Sequence, residues 1–196
     1  MNPNDFWGWF SAASKIIADN PNNQAVISDL DFRVAQTWPR LSWEIGPDVS
    51  AGWYLAISPN LNSDYIEDAK QAISSAPSIQ GWRFYPFRPR KKWNCAFEIA
   101  TPKGPRQINS SDWVFIFLQY KDGHKEIVIA APEANDMKLD ERWQAAAVVL
   151  EGLIGEEYLL QNKIDFFLEP SPDARFSSRY QPIHCLPRLL GVESNA

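Results

Sequence analysis

The sequence has few residues of the kinds that cross-link a small protein or bind a metal ion. It contains two cysteines, Cys95 and Cys185, which lie far apart and outside any CxxC arrangement. It also contains only two histidines, His124 and His184. This is neither a disulfide framework nor the ligand spacing of a zinc site. We therefore expect no metal and no other cofactor.

Catalytic motifs are also missing. The sequence contains no GxSxG nucleophile elbow, no HExxH pair, no P-loop, no EF-hand loop and no GxGxxG turn. His184 and Cys185 are adjacent, so on a strand they would point to opposite faces and not form a pair. Glu156 and Glu157 could hold a metal or act as acid and base, but carboxylates also simply favour the start of a helix. The sequence thus leans away from an enzyme.

No long apolar run is present. No stretch reaches the eighteen or so apolar residues that a membrane helix needs. Residues 1–9 include Asp5 and lack the basic and apolar regions of a secretory signal. We expect a cytoplasmic protein with no membrane partner.

Large aromatic residues, in contrast, are abundant: nine Trp, eleven Phe and six Tyr among 196 residues. A chain of this length buries enough surface to fold without a covalent staple, and aromatic rings dominate the energetics of such cores. We expect a tryptophan-rich domain over residues 1–168. A tail rich in Pro, Ser and Arg follows over residues 169–196.

The periodicity of apolar residues predicts both helices and strands. Helical spacing predicts helices, and alternation predicts strands, with Asp122-Gly123 as a hairpin turn. The predicted helices cover 4–19, 24–37, 64–75, 139–153 and 156–162, and the predicted strands cover 41–45, 53–57, 82–87, 95–100, 108–111, 114–118, 126–130 and 164–168. This order predicts an α+β fold with a mixed or mainly antiparallel sheet and helices packed mainly on one face.

Positive charge is concentrated in one segment. Residues 83–106 carry seven Lys or Arg against one acid, a net charge of +6. Because the whole chain has a net charge of −5, the remaining residues together carry −11. Aromatic residues alternate with these cations. The predicted binding residues are Trp82, Arg83, Arg88, Arg90 and Trp93. A solvated loop between strands is the ordinary alternative.

Two kinds of partner fit such a segment. Rings that stack on bases beside cations are typical of single-stranded nucleic-acid sites, but a pI near 5.1 argues against nucleic acid. Arginine forks also bind carboxylates. We therefore expect an acidic protein partner or an anionic small molecule.

Glu44 is a further candidate site residue. It lies in a predicted strand between Trp43 and Ile45, where an acid normally faces water. If the second face of the sheet is covered, Glu44 would be buried and would need a partner such as Arg83 or Arg88. Glu44 with an arginine could then supply the polar groups of an aromatic-lined pocket.

Several short motifs together resemble a known family. They are Phe6-Trp7-x-Trp9-Phe10, Trp43-Glu44-Ile45-Gly46, Leu55-Ala56-Ile57-Ser58, Ala76-Pro77 before Gly81-Trp82, Phe87-Arg88-Pro89-Arg90 and Gly155-Glu156. The sequence resembles a family of small, uncharacterised bacterial cytoplasmic proteins, over most of its length to about residue 168. The resemblance implies no activity and no catalytic residue. Some small, acidic α+β proteins act as immunity proteins that block a toxin, an analogy of size and composition.

Three functions remain open at this point. The leading hypothesis is a non-catalytic binding or regulatory protein, immunity-like, with a basic and aromatic surface. The first alternative is a small-molecule binder or enzyme with an aromatic-lined pocket. The second alternative is a structural subunit of a homo-oligomer whose exposed aromatic residues form a self-interface.

Overall fold

The fold is α+β, as the sequence predicts. The structure is a computed structural model, and it describes residues 1–192. The helices are α1 (Pro3–Asp19), α2 (Gln24–Thr37), α3 (Ile66–Ser74), α4 (Leu139–Ile154), α5 (Glu156–Asn162) and α6 (Leu186–Leu189). The strands are β1 (Ser42–Asp48), β2 (Gly52–Ser58), β3 (Trp82–Tyr85), β4 (Ala96–Ile99), β5 (Arg106–Asn109), β6 (Val114–Gln119), β7 (Lys125–Ala130), β8 (Ile164–Glu169) and β9 (Gln181–Pro182).

Contacts group the chain into two units, Met1–Arg88 (unit 1) and Pro89–Ala196 (unit 2). The division therefore lies within the basic segment, whereas the sequence places a boundary at residue 168. Residues 169–192 belong to unit 2, because β9 pairs with β6 and because Ile183 and Leu186 are fully buried.

Unit 1 holds a three-stranded sheet in the order β1-β2-β3. β1 and β2 form an antiparallel hairpin, and α3 carries the chain to β3, which lies parallel to β2. The hairpin loop is shorter than predicted. The Asp48 carboxylate accepts hydrogen bonds from the backbone N–H groups of Ser50 and Ala51, which closes a tight turn.

An aromatic cluster fills the core of unit 1. Phe6 and Phe10 of α1 are fully buried, and the Phe10 ring lies edge-on to Trp82 at 4.9 Å. Trp7, which helical spacing places off the centre of the buried face, is only 3% exposed. Its ring lies against Phe84 at 4.9 Å, so the sheet widens the buried face of α1.

Unit 2 holds a four-stranded sheet in the order β8-β7-β6-β9 and a separate β4-β5 hairpin. β7 is antiparallel to β6 and parallel to β8, so the sheet is mixed. Helix α4 packs on one face, where the Trp143 ring stacks on Phe166 at 5.9 Å. We call the opposite face, which carries Ile116, Leu118 and Val128, the outer face.

Candidate functional site

The predicted binding residues are divided between the two units. Trp82 belongs to the core of unit 1 and is 8% exposed. Its ring contacts Phe10 and lies 6.2 Å from the ring of Trp53. A buried indole cannot stack on a base or fill a pocket of a partner without unfolding part of unit 1.

Arg88 lies in unit 1 and holds an irregular turn. Its Nη2 donates to Ser42 Oγ at 2.7 Å and to Asn60 Oδ1 at 3.1 Å. Asn60 and Leu61 both have positive φ angles, 54° and 60°, which cost free energy in residues other than glycine. The Arg88 contacts therefore help to stabilise the strained turn that follows β2.

Arg90 and Trp93 lie in unit 2 and contact the end of α4. Arg90 Nε donates to the carbonyl of Leu153 at 2.8 Å, and its Nη1 donates to the carbonyl of Val192. A cation is favoured there by the dipole of the helix. The Trp93 ring packs directly over Gly152, and its N–H is buried with no hydrogen-bond partner among residues 1–192.

Glu44 pairs with a residue that the sequence argument missed. Its carboxylate accepts a hydrogen bond from the hydroxyl of Tyr54, the neighbour on β2. The Tyr54 ring lies across Gly46, where a Cβ atom would come within 2.7 Å of Tyr54 Cε1. The register of β1 and β2 places Tyr54 opposite Gly46 and so brings it diagonally beside Glu44.

A second carboxylate and tyrosine lie further along the same face. Tyr85 Oη donates to Asp48 Oδ2 at 2.8 Å, and Arg83 Nε lies 4.0 Å from Asp48 Oδ1. Burial alone would raise the pKa of Asp48, but hydrogen bonds from Ser50, Tyr85 and Ala51 outweigh it and lower that pKa to about 2. Burial and the bond to Asp48 raise the pKa of Tyr85.

These shifts bear on what this face can do chemically. An acid with a pKa near 2 stays ionised at neutral pH, and a tyrosine with a raised pKa stays protonated. A general acid or base works best when its pKa is close to the working pH. The Asp48–Tyr85 pair is therefore suited to holding structure and to binding, and not to proton transfer. Arg83, 56% exposed, is its solvent-facing cation.

Unit 1 contains a cleft that the sequence did not predict. It has a volume of about 610 Å³, within the range of ligand sites. The start of α1, the end of α2 and one side of α3 form its walls. Its lining residues include Pro3, Trp38, Arg40, Leu41, Asp68, Gln71 and Ser75. We call it the Arg40 cleft.

The polar groups of the Arg40 cleft are arranged around one ion pair. Arg40 Nη2 lies 2.7 Å from Asp68 Oδ2, and the two side chains are 60% and 36% exposed. The Arg40 guanidinium also lies 5.0 Å from the centre of the Tyr65 ring. The Trp38 ring packs on Phe6 at 4.8 Å and so forms a fixed apolar wall.

No local pattern marks this cleft in the sequence. Trp38 and Arg40 are only two residues apart, but Asp68 lies on α3, after the hairpin, and Ser75 follows the end of that helix. The Trp7 indole N–H donates to Ser75 Oγ at 3.1 Å and ties α1 to the end of α3. The cleft exists because three helix segments converge, and convergence is a tertiary property.

Comparisons with known proteins add no further assignment. No protein family, curated protein or solved structure matches the chain. Within residues 1–192, no cluster of three or more His, Cys, Asp or Glu side chains could hold a metal ion. The helices that the structure describes include none that is long and apolar enough to cross a membrane.

Proposed function

We propose that the protein is a non-catalytic binding protein, immunity-like in its mode of action, that binds an acidic partner protein. The observation that carries this proposal is the Arg40 cleft, with its exposed Arg40–Asp68 pair beside the apolar wall of Trp38. A carboxylate of the partner would take the place of Asp68 on the Arg40 guanidinium. Neighbouring apolar atoms of the partner would pack on Trp38.

The exchange of one carboxylate for another costs little. An exposed ion pair contributes only about 0–1 kcal/mol, because water solvates both groups well when they separate. Arg40 can therefore leave Asp68 without a large loss of stability. The guanidinium offers two parallel N–H donors, which suits a carboxylate geometrically as well as electrostatically.

The N-terminal end of α1, which lies beside the Arg40 cleft, also favours a negatively charged ligand. The start of α1 lines the cleft, and the N-terminal end of a 17-residue helix carries a partial positive charge. The Asn2 side chain already caps this helix by accepting a hydrogen bond from the backbone N–H of Asp5. The helix therefore contributes its electrostatic field at the cleft and not that N–H as a donor. Together with Arg40, the field favours an anion.

The proposal predicts opposite effects for two substitutions that remove one charge each. Titration of an acetylated Leu-Glu-Leu amide peptide, followed by calorimetry, should show weaker binding by about tenfold in Arg40→Gln, because the main cation is lost. Asp68→Asn should bind roughly threefold more tightly, because the internal competitor for Arg40 is removed. A Leu-Gln-Leu peptide should bind neither variant.

Arg33→Gln is the matched control. Arg33 lies on α2, pairs with Asp29 at 2.8 Å and stacks on Trp9, and it does not line the cleft. Its loss should leave binding unchanged. Equal weakening by Arg33→Gln and Arg40→Gln would mean that net charge alone governs binding, and the proposal would fail. Acetate binding as tightly as the peptide would instead indicate a small-anion site.

A further inference from the structure

Unit 2 also contains a cavity, which lies on the outer face of the four-stranded sheet. Its volume is about 430 Å³. Ile116 and Leu118 of β6 and Val128 of β7 form an apolar floor, and the segment over residues 170–180 forms the opposite wall. We call this cavity the outer-face cleft. Tyr120, 45% exposed, stands at its margin.

One edge of the same sheet is only partly paired. β9 pairs with β6 at Val114 and Phe115 alone, whereas β6 continues to Gln119. In an antiparallel ladder, alternate residues direct both backbone groups to the same side. Tyr120 N–H donates a hydrogen bond to the His124 carbonyl. The even-numbered residues of β6 therefore direct their N–H and C=O groups toward β7. Phe117 and Gln119 therefore direct their N–H and C=O groups toward the edge.

No other strand of residues 1–192 pairs with this edge of β6. An unpaired row of backbone donors and acceptors is a template for an added strand. β9 shows the geometry that this edge accepts, because it lies antiparallel to β6 on that side. A partner strand that continued the line of β9 would lie opposite Phe117 and Gln119.

The net charge of the residues that line the outer-face cleft indicates the charge of its ligand. Its lining carries Glu126, Glu169 and Asp173 against Arg175, a balance of −2. Arg175 is already engaged, because it pairs with Asp173 through two nitrogens. The cleft is therefore complementary to a cation.

The neighbouring strands add an unfavourable contact that a cation would relieve. Glu126 of β7 and Asp165 of β8 are register partners, and like charges placed side by side on a sheet destabilise it. Tyr120 Oη donates to Glu126 at 2.8 Å, and His124 Nε2 lies 3.6 Å from Asp165. Arg142 lies 3.8 Å from Glu169. Three carboxylates, those of Glu126, Asp165 and Glu169, thus face one neutral donor, one imidazole and one arginine, so the row stays negative.

We propose that the open edge of β6 binds an extended, lysine-bearing segment of a second partner protein as an added antiparallel strand. Residues of that segment that pair with Phe117 and Gln119 place their side chains on the inner face. The alternate residues place theirs on the outer face. A lysine there lays its aliphatic stem on Leu118 and reaches Glu126, which lies two strand spacings, about 10 Å, from the added strand.

The test uses an acetylated eight-residue peptide that alternates Lys and Val, titrated into the full chain by calorimetry at low ionic strength. The matched peptide replaces Lys by Glu. We expect the lysine peptide to bind and the glutamate peptide not to bind. Glu126→Gln should weaken binding roughly fivefold, because a surface charge pair is lost while the bond from Tyr120 is kept. Glu133→Gln, an exposed acid of unit 2 outside the cleft, should not change it.

N-methylation of the peptide tests the backbone pairing separately. The valine N–H groups face β6 in the proposed geometry and the lysine N–H groups face away. Methylation of the valine nitrogens should abolish binding, whereas methylation of the lysine nitrogens should leave it. Equal effects of the two methylated peptides would overturn the proposal. Failure of the lysine peptide to bind at about 1 mM, or equal binding by the glutamate peptide, would overturn it as well.

Discussion

Single residues on the sheet of unit 1 act mainly through their hydrogen-bond partners. Asp48 is the clearest case, because its carboxylate accepts bonds from Tyr85, from the Ser50 hydroxyl and from two backbone N–H groups. The sequence predicted strands over 41–45 and 53–57 and gave Asp48, between them, no role. The reason is that Tyr85 lies 37 residues away and meets Asp48 only when β3 joins the sheet.

Asp48→Asn should destabilise the protein by about 2 kcal/mol at neutral pH, because the pKa of Asp48 is lowered from 3.8 to about 2 in the folded state. A lowered folded pKa contributes stability above the unfolded pKa, and that contribution is lost as the pH falls. The difference between wild type and variant should thus shrink from about pH 4 to about pH 2. Urea unfolding across this range measures it, and a difference that grows toward low pH would contradict the argument. Tyr85→Phe, which removes one donor, should cost about 1 kcal/mol.

Helix ends and contacts between elements show where local sequence suffices. Helix α2 spans Gln24–Thr37, as predicted, because Asn23 caps its start and Pro39 follows its end. The predicted helix 64–75 instead begins with a 3-10 turn, Ser63–Tyr65, before α3. Trp93, predicted as a binding residue, contacts α4 through Gly152, and no pattern around either residue indicates that contact.

Gly152→Ala should destabilise the protein by about 1–3 kcal/mol, although alanine is the better helix former. A Cβ at Gly152 would lie 2.5 Å from Trp93 Cζ2, so the indole must move. Gly8→Ala is the matched control on α1, where an added Cβ has no neighbour within 4 Å. It should stabilise by about 0.5–1 kcal/mol. Chemical denaturation measures both, and equal signs for the two variants would contradict this account.

At the scale of the whole molecule, stability comes from burial of apolar side chains. Cys95 and Cys185 are both free thiols. Fully buried residues such as Phe6 and Leu55 in unit 1 and Phe115 and Leu150 in unit 2 form the interior.

A reducing agent should accordingly leave the melting temperature unchanged, since no disulfide constrains the unfolded chain. Differential scanning calorimetry with and without dithiothreitol measures this. A Cys95→Ser/Cys185→Ser variant should respond in the same way as the wild type. A melting temperature that falls only in the wild type on reduction would show a cross-link.

The sequence alone determined the α+β class, nearly every helix and strand, and an aromatic core, because periodicity, caps and turn residues act over a few positions. It did not determine where the basic segment goes. Trp82 lies in the core, Arg88 stabilises a strained turn, and Arg90 and Trp93 pack on α4. Only the tertiary structure decided these placements and formed the Arg40 cleft and the open edge of β6. Each depends on which distant elements become neighbours, and no short window of sequence encodes that.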